Sequence, residues 1–281
     1  MTPTNPFSAK EVEASFGGRY VLGSEIRVGG QGVVYHAKRV RLPDGSACSD
    51  EVALKLHLDA KQDKRVQREI EAMKHLRHPA LATLLEEGII VIGGKQVRFI
   101  AWEFIEGEAL DTKLSKGQLQ EVAVVRIAAD VTGAIVALWS RRIVHRDIAP
   151  KNIMIKPDGR AILIDLGGAR HLDNTTITAP GLTFGTVGYF SPEQYRAERA
   201  LTSASDIFTL AVVLLECLIG RHPTNLDQQQ LVTTPPSANA LIPSNSKELR
   251  DTVDEMLGIR ASFRPQIDQL HQRFERISNK R

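Results

Sequence analysis

Cysteine is scarce, with two in a chain of 281 residues. Cys48 lies in a polar Gly/Ser/Asp stretch and Cys217 in an apolar run, so a disulfide framework is excluded in practice and a reducing, intracellular compartment is expected. An excess of either charge is also lacking. The 36 Lys+Arg against 33 Asp+Glu leave a formal charge of +3, which gives no electrostatic ground for a nucleic-acid or anionic-membrane partner. Long hydrophobic runs are missing: the most apolar window, Ile207 to Ile219, has 13 residues and carries Glu216. A spanning helix needs roughly 20. The amino terminus, M-T-P-T-N-P-F-S-A-K, has neither the basic start nor the apolar stretch of a secretory signal. These absences point to a cytoplasmic protein with no membrane span and no nucleic-acid partner. Aromatics are sparse at 5%, yet 42% apolar and 25% charged residues are ordinary globular composition and exclude a disordered or collagen-like chain. The length allows one large domain or two modest lobes.

Residues 1–18 hold Pro3, Pro6, Gly17 and Gly18 with little periodicity and are expected to be a lead-in outside any core. From Tyr20 to about Phe104 the pattern predicts mostly strands: Val33, Val34 and Tyr35 are β-prone, P-D-G-S at 43–46 is a turn, and V-A-L-K-L at 52–56 is a short buried strand. A hairpin is expected around Gly93-Gly94. One helix interrupts the strands between Lys61 and Leu76, where Val66, Ile70, Met73 and Leu76 form an apolar stripe bordered by Glu69. Beyond Gly107, residues 122–139 and 207–219 read as long helices, the second apolar nearly all round and so buried. The stretch 223–245 reads as a polar connection between helices. Strands first and helices later indicate an α+β protein.

The chemistry concentrates in H-R-D-I-A-P-K-N at 145–152 and A-I-L-I-D-L-G at 161–167. The first can aim the Asp147 carboxylate and the Asn152 amide into one cleft, and the second is an apolar strand delivering Asp165 to a Gly-bearing turn. Asn152 and Asp165 are hard oxygen ligands of the kind Mg²⁺ prefers when phosphate and water complete its shell. Asp147 is left as the acceptor of a hydroxyl proton.

Together these segments resemble the catalytic loop and metal-binding triplet of the eukaryotic-type (Hanks-type) serine/threonine protein kinases. The likeness covers roughly residues 20–275, and the H-R-D-I-A-P loop is similar to that of bacterial members. It implies a two-lobed fold: a β-rich N-lobe over 19–103 with one long helix, a hinge at 103–107 and a larger, mainly helical C-lobe over 108–276. The resemblance leaves 1–18 as lead-in and 277–281 as a tail, and both lobes share one active site. Further positions follow from the resemblance. V-A-L-K at 52–55 carries the nucleotide lysine, Lys55, and Glu69 in R-E-I-E-A-M sits where its ion-pair partner is expected. R-V-G-G-Q-G-V-V-Y at 27–35 is similar to the Gly-rich phosphate loop, with Val28, Gly29, Gly30 and Gly32 lining it and Arg27 in place of the first glycine. Val34, Ala53 and Met154 are implied to sandwich adenine, and the backbones of Glu103 and Ile105 to bond its edge. Trp102, just before the hinge, is expected to close the pocket behind the base. S-P-E at 191–193 stands for the usual A-P-E, implying a buried Glu193–Arg264 pair, while Asp206 matches the helix aspartate that holds the catalytic loop.

The implied activity is transfer of the ATP γ-phosphoryl group to Ser/Thr hydroxyls of protein substrates, with Mg²⁺, or Mn²⁺ in its place, held by Asn152 and Asp165. Asp147 orients and deprotonates the acceptor. G-T at 185–186 is the Ser/Thr pattern, with Thr186 contacting Asp147, whereas the lysine usual two residues after the catalytic Asp is replaced by Ala149. Lys151, four residues after Asp147, is read as supplying the missing charge. Thr175, Thr176, Thr178 and Thr183 lie between Asp165 and Glu193, where autophosphorylation is expected, with Arg146 as receiver. The departures at Arg27, Gln31 and Ala149 leave a pseudokinase scaffold as the competing reading. The sequence does not settle the oligomeric state.

Overall fold

The computed structural model describes residues 5–29, 32–57, 70, 74, 76–165, 170–171, 185–198 and 201–280. The chain divides into two compact units, one formed by Met1–His75 and Ala82–Ile105, the other by Leu76–Leu81 and Glu106–Arg281. Residues 76–81 join the second unit because Leu163 N–H donates to the Ala80 carbonyl at 2.9 Å and Leu81 bridges Leu163 in parallel.

The first unit is an antiparallel sheet of β1 (Tyr20–Gly29), β2 (Gly32–Arg41), β3 (Ala47–His57), β4 (Leu84–Ile92) and β5 (Lys95–Glu103), in the order β1-β2-β3-β5-β4. The turn signals act as expected. Leu42 and Ser46 close the Pro-Asp-Gly turn at 2.9 Å, and Gly93-Gly94 joins Ile92 to Lys95 in the β4–β5 hairpin. Alternate residues Val33, Tyr35 and Ala37 on β2, and Val52, Leu54 and Leu56 on β3, are buried, as the period-two pleat requires.

The lead-in expectation for residues 1–18 is corrected. Ala9–Ser15 form helix α1, started by a capping box in which the Ser8 hydroxyl accepts from Glu11 N–H at 3.3 Å and the Glu11 carboxylate accepts from Ser8 N–H at 2.9 Å. Val12 and Phe16, four residues apart on one face, are buried in the sheet's core, with the Phe16 ring 4.7 Å from Tyr20 and 4.9 Å from Phe99. The S-x-x-E signature and the i, i+4 apolar pair are readable in the sequence; the two prolines and two glycines around them obscured both.

The second unit begins with β6 (Glu108–Ala109) and α2 (Leu110–Leu114), then the long helix α3 (Glu121–Ser140). Strands β7 (Ile143–Val144), β8 (Ile153–Ile155), β9 (Ala161–Leu163) and β10 (Arg170–His171) follow, paired as β6-β8-β9 and β10-β7. The remaining helices are α4 (Pro192–Tyr195), α5 (Ser203–Ile219), α6 (Gln228–Thr233), α7 (Ala238–Leu241), α8 (Lys247–Met256) and α9 (Ile267–Asn279). Fourteen of the 17 residues of α5 are buried, so it is the axis of this unit. Among the described residues α3, rather than 207–219, is the helix long and apolar enough to cross a membrane; 61% of its apolar window is buried against the rest of the unit. Two further readings change. The stretch 223–245 holds α6 and α7, anchored by buried Leu231, Val232 and Ala238, and α9 runs into the expected tail with Ile277 buried. The helix expected at 61–76 falls outside the described residues except for Ile70, Lys74 and Leu76; Ile70 is helical and buried with Leu84 and Ile100.

Candidate active site

In the second unit the segment 145–152 leaves β7, turns through the 3₁₀ turn Pro150–Asn152 and enters β8. Its path is fixed from beneath by Asp206, in the first turn of α5 and 1% exposed. The Asp206 carboxylate accepts from His145 N–H at 2.8 Å and from Arg146 N–H at 2.9 Å. Burial pushes this carboxyl up from its ordinary range, against the opposing pull of His145 and the two amides. Arg146 is held at φ 70°, a left-handed conformation that costs a side-chain-bearing residue on the order of 1–3 kcal/mol. Its carbonyl accepts from Gln194 Nε2 at 2.9 Å. Gly185 passes so close that a Cβ there would lie 2.7 Å from the same carbonyl oxygen and from the Phe190 ring, at φ 124°, so only glycine fits.

Both oxygens of the Asp147 carboxylate are held. Thr186 Oγ1 donates to Oδ1 at 2.6 Å, Asn152 Nδ2 donates to Oδ2 at 3.0 Å and to the Asp147 carbonyl at 2.8 Å, and Lys151 Nζ stands 4.0 Å from Oδ2. The contact expected between Thr186 and Asp147 is present. Asn152 is fully buried, and with Nδ2 committed its Oδ1 is a buried acceptor with no hydrogen-bond partner among the described residues. Such an orphan is costly unless something else takes the oxygen. Asp165 follows β9 at φ 55°, and Ile164 N–H donates to the Asn152 carbonyl at 2.9 Å, so the two chain segments that carry Asn152 and Asp165 run side by side. A buried amide oxygen without a donor, next to a segment ending in a carboxylate, suits a hard, oxygen-seeking divalent cation. Lys151 and Thr186, the cationic and hydroxyl partners of Asp147, also line a pocket of about 300 Å³ together with Tyr189 and Glu216.

The expected Glu193–Arg264 pair is present, with Nη1 to Oε1 at 2.6 Å and Nη2 to Oε2 at 2.9 Å. Burial raises the Glu193 carboxyl, but the Arg264 guanidinium more than offsets this and holds it below the usual range. Three groups escaped the sequence reading. Gln194 closes a capping box with Ser191, legible as S-P-E-Q, before reaching the Arg146 carbonyl. Gln228 Oε1 accepts from Gly188 and Phe190 N–H at 2.9 and 3.0 Å, and His222 Nε2 donates to the Gly188 carbonyl at 2.9 Å. Nothing local in the sequence marks these two, because their partners lie more than 30 residues away.

In the first unit Lys55 is buried on β3, in register with Val34 on β2 and Ile100 on β5; Ala53 stands opposite His36 and Trp102. Trp102 packs against the Ile70, Leu84 and Ile100 cluster. Val28 pairs with Val33 and Gly29 with Gly32, and a Cβ on Gly32, at φ 150°, would sit 2.0 Å from the Leu56 carbonyl oxygen. Glu103 closes β5, its carboxylate accepting from Thr83 N–H at 2.8 Å; Ile105 ends the unit. Met154 lies in the second unit, on β8, between Ala109 and Ile162. Glu69, Gly30, Gln31 and the four threonines at 175, 176, 178 and 183 lie outside the described residues.

A family description, protein kinase domain, matches residues 20–274. The chain belongs to the protein kinase domain family. Its similarity to bacterial kinases is broad: 32% identity over 248 residues, 84% of this chain, to serine/threonine-protein kinase PrkC of Bacillus subtilis, and 33% over 239 residues, 80% of this chain, to serine/threonine-protein kinase PknL of Mycobacterium bovis. A probable serine/threonine-protein kinase PknB of Lactococcus lactis is 30% identical over 213 residues, 75% of this chain. The chain spans 37%, 56% and 33% of these relatives' lengths, respectively. A β-rich unit followed by a mainly helical one is the α+β arrangement of the kinase domain, and membership implies ATP, a divalent cation and a protein substrate.

Proposed function

We propose that this chain is a serine/threonine protein kinase that transfers the ATP γ-phosphoryl group to a protein hydroxyl, with Asp147 as the acceptor of the hydroxyl proton. The observation that carries this is the Asp147 carboxylate itself, aimed by Thr186 at 2.6 Å and Asn152 at 3.0 Å beside the Lys151 ammonium. Each oxygen retains a lone pair for the incoming hydroxyl, and a carboxylate that cannot rotate meets its substrate in one geometry. Asn152 Oδ1 and the Asp165 carboxylate would hold the cation, Mg²⁺ or Mn²⁺ in its place, since an all-oxygen site suits both. A cation held there would supply positive charge against the phosphates. Lys55, paired with Glu69, would orient the phosphates; Val28, Gly29, Gly30 and Gly32 would cover them; Val34, Ala53 and Met154 would enclose adenine, with the Glu103 and Ile105 backbones at its edge. Lys151 would supply the cation that Ala149 cannot. Autophosphorylation of a threonine among 175, 176, 178 and 183 belongs to the same proposal.

An assay with labelled ATP and a generic protein substrate tests it, comparing wild type with Asp147→Ala and Asp165→Ala. Loss of a positioned proton acceptor removes about 10²–10⁴ in rate. Wild-type activity equal to that of both variants would replace the enzyme by a nucleotide- or partner-binding scaffold. Intact mass before and after phosphatase reads autophosphorylation, and phosphoamino-acid analysis giving mainly phosphotyrosine would overturn the Ser/Thr assignment.

A further inference from the structure

The β1 edge of the first unit's sheet is irregular. Among the described residues strand β1 has a partner on one side only, and it breaks register twice, between Leu22 and Glu25 and between Glu25 and Arg27, leaving the Glu25–Tyr35 pairing isolated between two shifts. A bulge disrupts the ladder locally, and an edge strand has no second neighbour to make up for it. This one leads into the hairpin that closes through Val28–Val33 and Gly29–Gly32.

Residues 5–16, which precede the kinase match at residue 20, supply hydrogen bonds to this edge. Glu13 accepts from Leu22 N–H at 2.8 Å. Asn5 sits at the irregular point itself: its Nδ2 donates to the Glu25 carboxylate at 3.0 Å and to the Tyr35 hydroxyl, while its Oδ1 accepts from Phe7 N–H at 3.1 Å. Phe7, Val12 and Phe16 fasten the segment to the core beneath. One side chain, 20 and 30 residues from its partners, thus joins β1 to β2 where their own ladder is interrupted. Tyr35 is the residue after Val34, which stands opposite Lys55.

We infer that Asn5 is a positioning residue for nucleotide binding: by clipping Glu25 to Tyr35 it holds the β1–β2 hairpin in the shape that receives ATP phosphates, so that the segment before the kinase match sets ATP affinity. The inference rests on the kinase reading above. Asn5 touches no reacting atom, so its loss weakens ATP binding and leaves turnover at saturating ATP unchanged.

The test uses the full chain and three variants. Asn5→Asp sets a carboxylate against Glu25; Asn5→Asp with Glu25→Gln restores a donor facing an acceptor; Tyr35→Phe removes the hydroxyl and keeps the ring in the core. Calorimetric titration with ATP reads Kd, the kinase assay reads kcat and KM, and hydrogen exchange reads the amides of β1 and β2. Asn5→Asp should raise Kd and KM for ATP by about 5- to 10-fold, somewhat less than the full worth of a hydrogen bond to a charged group. Its kcat should stay within twofold and the β1–β2 amides should exchange faster; the double variant should return all of these towards wild type, and Tyr35→Phe should move them the same way by less. Faster exchange with unchanged Kd, unchanged exchange in Asn5→Asp, or a raised Kd that the double variant does not rescue each overturns the inference. A wild type that binds no ATP overturns the kinase reading instead, and the exchange rates alone then decide whether the clip exists.

Discussion

Replacing Arg264 by Met should cost this protein about 3–5 kcal/mol, the range for breaking a buried ion pair by removing one partner. The guanidinium makes two hydrogen bonds to Glu193, at 2.6 and 2.9 Å, and three more to the carbonyls of Ala204, Gly258 and Ile259 at 2.7, 2.7 and 3.3 Å, with its carbon 4.9 Å from the Phe208 ring centre. Methionine recovers the contact with Phe208 but leaves three carbonyls and a carboxylate 7% exposed, with Ser205 at 2.7 Å as that carboxylate's remaining side-chain donor. The penalty is therefore mostly that of an uncompensated buried charge, which gives it a pH signature. In wild type Glu193 is held below its ordinary value near 4.5, so the pair's stabilisation is present above that value and lost as pH falls through the lower folded value. Without Arg264 burial, the largest influence on this carboxyl, is opposed only by the Ser205 hydroxyl and a backbone N–H, so the sign reverses: the carboxyl is raised, and stability is lost as pH rises. The gap between wild type and Arg264→Met, read from urea midpoints with equal slopes, should widen from pH 4 to pH 7.5. Adding Glu193→Gln should recover at least half of the loss at pH 7.5. A single variant within 1 kcal/mol of wild type, or a double variant no more stable than the single, refutes the reasoning.

Other consequences can be measured with equal directness. Thr186→Val removes the donor to Asp147 Oδ1 and should lower kcat by about 10- to 100-fold with KM for ATP little changed, whereas Thr186→Ser, which keeps the hydroxyl, should stay within about threefold. Asp206→Asn sets an amide N–H₂ against a backbone N–H that the carboxylate now serves, so unfolding free energy should drop by about 2–3 kcal/mol, and activity with it, as the loop at 145–147 loosens. Burial holds the His222 imidazole below its ordinary value near 6.5. Its stabilising contribution is complete above that pH and lost as pH falls through the folded value, so wild type should lose more stability between pH 7.5 and 5.5 than His222→Gln does; parallel curves would contradict the assignment.

The residues of the candidate site were legible in the sequence for a physical reason. Chemistry confined to short loops leaves dense local patterns: 145–152 puts Asp147, Lys151 and Asn152 within one turn, and the strand 161–163 delivers Asp165 directly. The order of elements was legible too, because β2 and β3 alternate with period two and α5 is apolar nearly all round. Partnerships across long sequence separations were legible only where the kinase resemblance implied them, as for Glu193 with Arg264 and Thr186 with Asp147; the others belong to the tertiary structure alone. Burial of Val12 and Phe16, the two short helices within 223–245, the Gln194–Arg146 bond and the hold of His222 and Gln228 on 188–190 depend on which surfaces meet, and no local periodicity encodes that. The same holds for Asn152 Oδ1: composition supplies an amide, but only the folded loop spends its N–H₂ on Asp147 and leaves a buried oxygen unpaired. The sequence by itself determined the family, the fold class and the chemical groups on offer. Tertiary structure decided which of those groups are aimed, which are buried, and that a segment before the kinase match belongs to the core, because burial and hydrogen-bond pairing are properties of meeting surfaces.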